Sequence, residues 1–252
     1  MAYRKVDDAS LAAVADSIRE KGGTSGALAF PDGFVSAVQA IQAGGGEADS
    51  SFKDVIEGTA VNPTLPSDLT KIRDYAFYYY GTLALTSLPA GVTSIGPNAF
   101  YNCISLTLTS LPDGVTSIGK RAFYACNKLT LTSLPAGVSY INDYAFYNCT
   151  SLALTSLPDG VTSIGPSAFY GCKKLALTSI PAGVTEIYNN AFNGCIGLTS
   201  ITFEGTPGSI SSSVFNGCSN LTTINVPWAE GAVSGAPWGA TNATINYNYT
   251  GE

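Results

Sequence analysis

The sequence of 252 residues predicts an α/β repeat solenoid: stacked short strands and short helical turns, a small helical N-terminal module, and a C-terminal cap. Three observations predict it. An Ala-Phe pair recurs at Ala76-Phe77, Ala99-Phe100, Ala122-Phe123, Ala145-Phe146, Ala168-Phe169 and Ala191-Phe192, with Val214-Phe215 behind them, always 23 residues apart. The six cysteines keep the same interval: Cys103, Cys126, Cys149, Cys172, Cys195 and Cys218. Charged residues make up only 12% of the chain, about half the usual share, as expected when one apolar, hydroxyl-rich unit is copied many times.

The chain opens with two apolar stripes. Leu11, Val14, Ala15 and Ile18 fall on one face of a helix that Gly22-Gly23 stops, and Phe34, Val38 and Ile41 form a second stripe after Pro31-Asp32-Gly33. Residues 1–46, ending in Gly44-Gly45-Gly46, therefore read as a two-helix module with a flexible linker. So small a module has little core of its own, so its expected role is attachment or oligomerisation. Residues 47–64 read as a linker and N-terminal cap.

Residues 65–227 carry seven repeats. One unit, from Leu106 to Cys126, reads LTLTSLPDGVTSIGKRAFYAC. Leu106, Leu108 and Leu111 mark a threonine-rich strand-like segment. Pro112-Asp113-Gly114 is a turn, and Val115 and Ile118 carry a second extended piece. Ala122, Phe123 and Cys126 place apolar groups at i, i+1 and i+4, the spacing of a short helical turn. No unit of this size buries its own apolar face, so the units must stack. Leu221 to Pro227 supplies a final strand, and residues 228–252, with Trp228 and Trp238, read as the lid on the exposed end.

The composition also excludes. With no histidine, Ser-His-Asp and Cys-His catalysis and histidine-ligated metals are ruled out. A net charge of −6 argues against nucleic acid as a partner, and the longest apolar runs fall far short of a membrane span. Asp113 and Asp159 lie two repeats apart, near the separation of an inverting glycosidase pair. The equivalent positions in other copies are Ala90, Ala136 and Ala182, so both aspartates read as ordinary turn residues. The expectation is a protein that is not an enzyme, with no catalytic residue, metal or cofactor. The cysteines read as one buried position copied six times, a structural column of free thiols.

These repeats resemble the BspA-like leucine-rich-repeat family. Its 23-residue unit runs from L-x-x-I-x-[LVF]-P through V-T-x-I-G to A-F-x-x-C. Leu198 to Phe203 and Leu221 to Pro227 fit that strand pattern. The copies beginning at Leu83, Leu106, Leu129, Leu152 and Leu175 read L-x-L-T-S-[LI]-P instead, which moves one inward side chain by a residue and predicts a bulge or re-aimed strand. The resemblance implies a curved right-handed solenoid used for adhesion or protein binding. The flanks, SLAAVADSIREKGGTSGALAFPDGFVSAVQAI and VPWAEGAVSGAPWGATNATINYN, resemble segments of phage and prophage tail proteins of gut Firmicutes.

Two outward rows are the candidate binding surfaces, for a host cell-surface protein or a glycan. Tyr78, Tyr101, Tyr124, Tyr147 and Tyr170 follow the buried phenylalanines, either packing ring on ring or offering an aromatic ladder. Thr86, Thr109, Thr132, Thr155 and Thr178 form a hydroxyl row on the strand side. The expected protein is a tail-associated virion component that attaches to other tail proteins through residues 1–46. It self-associates, with a trimer the preferred order although no heptad seam argues for three. The opening MAYRKVDDAS has no apolar h-region, so synthesis in the bacterial cytoplasm and display on a virion are expected. The alternatives are a secreted or cell-surface BspA-like adhesin and a purely structural virion decoration.

Overall fold

A computed structural model describes residues 65–251; the expectations for residues 1–64 lie outside the described residues. The segment ending in isoleucine, V-T-x-I in most rungs, forms a two-residue strand in each. In chain order these are β1 (Lys71–Ile72), β2 (Ser94–Ile95), β3 (Ser117–Ile118), β4 (Tyr140–Ile141), β5 (Ser163–Ile164), β7 (Glu186–Ile187) and β9 (Ser209–Ile210). They pair in parallel as β1-β2-β3 and β4-β5-β7-β9, each residue facing the one 23 positions on, as Ile95 faces Ile118. The isoleucine of every pair turns inward and is buried.

The leucine-bearing segment forms a second row that changes character along the stack. In the copies from Leu83 to Leu152 it makes no regular strand. Leu106, Leu108 and Leu111 are buried while Thr109 and Ser110 both face outward, so side-chain alternation breaks and the ladder thins. A few backbone bonds remain: the amides of Thr107, Thr130, Ala153 and Ala176 donate to the carbonyls of Leu85, Leu108, Leu131 and Leu154, and later in the row Thr155 and Thr178 donate to Thr132 and Thr155. This is the re-aimed segment that the L-x-L-T-S-[LI]-P departure predicts. Further on, β6 (Ser179–Ile180), β8 (Ser200–Phe203), β10 (Thr223–Asn225) and β11 (Thr244–Asn246) form a parallel sheet in the order β11-β10-β8-β6. Pro227 therefore does not end the ladder: β11 adds one more strand beyond it, with Ile245 facing Ile224.

The expected helical turns are not helices, and no helix occurs among the described residues. Ala99, Tyr101 and Cys103 donate to the carbonyls three residues back, at Gly96, Asn98 and Phe100. The alternate amides of Asn98, Phe100 and Asn102 donate to the next rung, at Lys120, Ala122 and Tyr124, over 2.7–2.9 Å. The segment is a ribbon of consecutive turns, with φ of 56° at Asn98 and 58° at Asn102. A helix would spend its amides within one segment. Here half of them tie rung to rung, and Ala, Phe and Cys still face inward at i, i+1 and i+4.

The core is a set of columns. Phe77, Phe100, Phe123, Phe146, Phe169, Phe192 and Phe215 stack in sequence, with centroids 5.2–5.6 Å apart and planes within 11°. At the far end Trp228 and Trp238 are buried. They meet edge-on at 6.2 Å, and both pack on Phe203. The Trp238 indole N–H donates to the Ser234 carbonyl at 2.8 Å, which satisfies its one polar group.

Candidate functional site

The turn ribbon sets the outward direction of the residue after each phenylalanine, which brings Tyr78, Tyr101, Tyr124, Tyr147 and Tyr170 into one row. Their centroids follow at 4.9, 4.5, 4.6 and 4.7 Å, and the last three contacts are parallel within 10°. All five are half-buried. Burial first, and then the neighbouring phenol Tyr147, pushes the Tyr124 hydroxyl above its ordinary value; Tyr147 is raised likewise by burial and Tyr170. The ring faces are thus spent on one another. What the row presents is ring edges and hydroxyls, and stacking on a sugar would need the Tyr170 end, where Asn193 follows in the column.

Thr86, Thr109, Thr132, Thr155 and Thr178 are all exposed. Thr178 differs from the others in lining a half-open cavity of about 250 Å³, together with Leu177, Thr199 and Thr202. The cavity sits where the leucine row becomes a regular sheet. The backbone bond from Thr107, Thr130, Ala153 and Ala176 to the preceding rung has no counterpart between Thr199 and Leu177 among the described residues.

All six cysteines are free and buried. Each thiol donates to the carbonyl of the preceding rung's phenylalanine, as Cys126 Sγ does to Phe100 at 3.0 Å and Cys149 Sγ to Phe123 at 2.9 Å. Burial pushes every thiol pKa upward, to about 11 at Cys218, so the column is protonated and a poor nucleophile at neutral pH. Reading cysteine as a small hydrophobe finds its burial and misses this bond.

Asp113 and Asp159 stand exposed in their turns. Among the described residues no group of three His, Cys, Asp or Glu could hold a metal ion, and no helix is long and apolar enough to cross a membrane. One cluster escapes the sequence reading. Tyr140 and Glu186 occupy the strand position that is serine at Ser94, Ser117, Ser163 and Ser209. Lys120 Nζ meets Asp143 Oδ2 at 2.8 Å, and the Arg121 guanidinium lies 5.1 Å from the Tyr144 ring centroid. Departures from the repeat were the available signal.

Parallel rungs of 23 residues, each with a leucine-bearing segment, a V-T-x-I strand and a turn ribbon, define a leucine-rich-repeat solenoid. The chain belongs to the BspA-type family: the BspA type leucine rich repeat region matches residues 49–176 and 140–231 in 6 copies. Among solved structures it is similar to a leucine-rich-repeat protein of T. pallidum, at 31% identity over 65% of this chain and 80% of that one, with a TM-score of 0.50. A leucine-rich cell surface protein of Faecalibacterium prausnitzii shares 29% identity over 63% and 59% of the two chains, TM-score 0.43. A leucine-rich-repeat protein of Bacteroides ovatus shares 21% over 77% and 63%, TM-score 0.41. This chain thus spans about three fifths of the latter two. No curated protein matches it.

Proposed function

We propose that this chain is a non-enzymatic recognition protein whose solenoid presents a surface to a bacterial host cell from a phage tail, with residues 1–46 attaching it to other tail proteins. The observation that carries the recognition reading is the ordered outer surface. Five tyrosines stand in one continuous row, and an exposed threonine row lies on the strand side. A rigid array of this kind offers repeated hydroxyls and ring edges at little conformational cost, the property that makes tyrosine effective at interfaces. The tail reading is supported by the flanking segments and by the two apolar stripes of residues 1–46, which need a partner to cover them. A BspA-like bacterial adhesin is the second reading, favoured by the family itself.

The test uses the full chain, fluorescently labelled, on candidate host cells. Saturable binding to at least one strain is expected, and its absence from every strain defeats the recognition role. The full chain should also co-sediment with phage particles, and deletion of residues 1–46 should release it. Co-sedimentation that survives the deletion removes the attachment role, and cell-surface display without particles favours the adhesin.

A further inference from the structure

In a stack of near-identical rungs, the informative residues are those that break the pattern. Tyr140 and Glu186 do so together, because the strand between them holds Ser163 in register with both. The Tyr188 hydroxyl donates to Glu186 Oε2 at 2.6 Å, and Lys120 donates to Asp143 Oδ2 at 2.8 Å. These polar ends share one patch. Burial first, then Asp143 and Glu186, raises the Tyr140 pKa while Lys120 opposes, and Tyr188 senses Glu186, Tyr140 and Asp143.

Ser163 forms the floor. It is 9% exposed, and its hydroxyl is buried with no hydrogen-bond partner. The serines at the same strand position elsewhere, Ser94, Ser117 and Ser209, are not buried. Ser163 alone lies between a large aromatic and a carboxylate. An unpaired buried hydroxyl costs stability, and a native fold that keeps one invites a reason.

We infer that Tyr140, Ser163 and Glu186, with Tyr188, Asp143 and Lys120 around them, form a binding site for one ring of a neutral glycan. The backbones that carry Tyr140 and Glu186 stand two rungs apart, about 9.6 Å, and the Ser163 hydroxyl between them is closed to solvent. Carboxylates accept from sugar hydroxyls, the ammonium donates, and the phenols do both. Lys120 offsets Asp143 and Glu186 adds a further carboxylate beside Tyr140, so the patch does not favour an anionic sugar. A ring that enters parts Tyr140 from Glu186 and gives the Ser163 hydroxyl its partner. The inference rests on the recognition reading and narrows its target from protein or glycan to glycan.

The full chain is tested on immobilised neutral tetrasaccharides of glucose, galactose, mannose and N-acetylglucosamine, in parallel with host cells. Binding to at least one tetrasaccharide is expected. Ser163→Ala should weaken it about fivefold to tenfold, the worth of one hydrogen bond, with a thermal midpoint unchanged or higher. Glu186→Gln should weaken it at least as much. Failure to bind all four sugars, or binding that both variants retain in full, overturns the site. If saturable cell binding survives that failure, the recognition reading stands without this site; if cell binding is also absent, both fall.

Discussion

The rungs from Leu83 to Ile180 and those from Leu198 to Asn246 draw on similar amino acids yet build different backbones. In the earlier rungs Leu106 and Leu108 turn inward and Thr109-Ser110 both turn outward. In the later ones Thr199-Ser200 take the outward pair and Ile201-Thr202-Phe203 alternate. Moving one inward residue from i+2 to i+3 shifts the alternating stretch to the end of the segment. There β8 pairs on both sides, with β6 and with β10. The earlier rungs are held instead by the V-T-x-I strands, the turn ribbons and the columns of phenylalanine and cysteine. A solenoid therefore does not need a continuous sheet in every row, provided other rows carry the rung-to-rung bonds.

The most direct way to break this contrast is proline. The Thr202 amide donates to the Thr178 carbonyl at 3.0 Å, so Thr202→Pro removes a ladder bond inside the sheet and should cost about 3 kcal/mol. The Thr109 amide makes no such backbone bond among the described residues, and Thr109→Pro should cost about 1 kcal/mol or less. Urea midpoints at constant slope measure both. Equal losses would show that the two regions do not differ in their dependence on the ladder.

A pattern exchange sharpens the comparison. Leu108→Thr with Thr109→Leu imposes the later pattern on an interior rung and creates two mismatched junctions, at an expected cost of about 2 kcal/mol. The same exchange at Leu177 and Thr178 only moves the existing junction by one rung, so its cost should stay within about 1 kcal/mol. The order of the two urea midpoints is the readout.

The smallest effect concerns the thiols. Cys149→Ala removes the bond to the Phe123 carbonyl and should cost about 1 kcal/mol. The column also sets an alkaline limit. Each buried thiol has a pKa raised above its ordinary 9.0. Its contribution is therefore complete below that pH and is lost as pH climbs through the folded value, about 11 at Cys218. Alkylation followed by mass spectrometry in mildly alkaline buffer should label Cys218 before the other five. Uniform labelling would mean that the stack opens as one unit.

Much of this was legible in the sequence. The constant interval gave the stack, and Leu106, Leu108, Leu111, Val115, Ile118, Ala122, Phe123 and Cys126 are all buried as the unit predicts. The turn ribbon was misread because inward groups at i, i+1 and i+4 suit a helical turn equally well. A second signal separates the two. The position of Asn102 recurs as Ala125, Asn148, Gly171, Gly194 and Gly217, and every one has positive φ, near 70° at the glycines. A column of Asn and Gly fits left-handed backbone and not helix. The Tyr140–Glu186 cluster was only partly legible: its departures from serine stand at the 23-residue interval, but its members are spread over 69 positions, Lys120 to Tyr188. The register of the rungs brings them together.

That register has a consequence for how such a chain can change. The six cysteine rungs bond to their neighbours through the same groups at the same interval, as the thiol-to-carbonyl bonds show. Unequal recombination that gains or loses one 23-residue copy between like rungs therefore restores the same contacts. The fold acts as a ruler graduated in steps of about 4.8 Å. Copy number sets how far the cluster around Ser163 stands from either end, without redesign of a single contact.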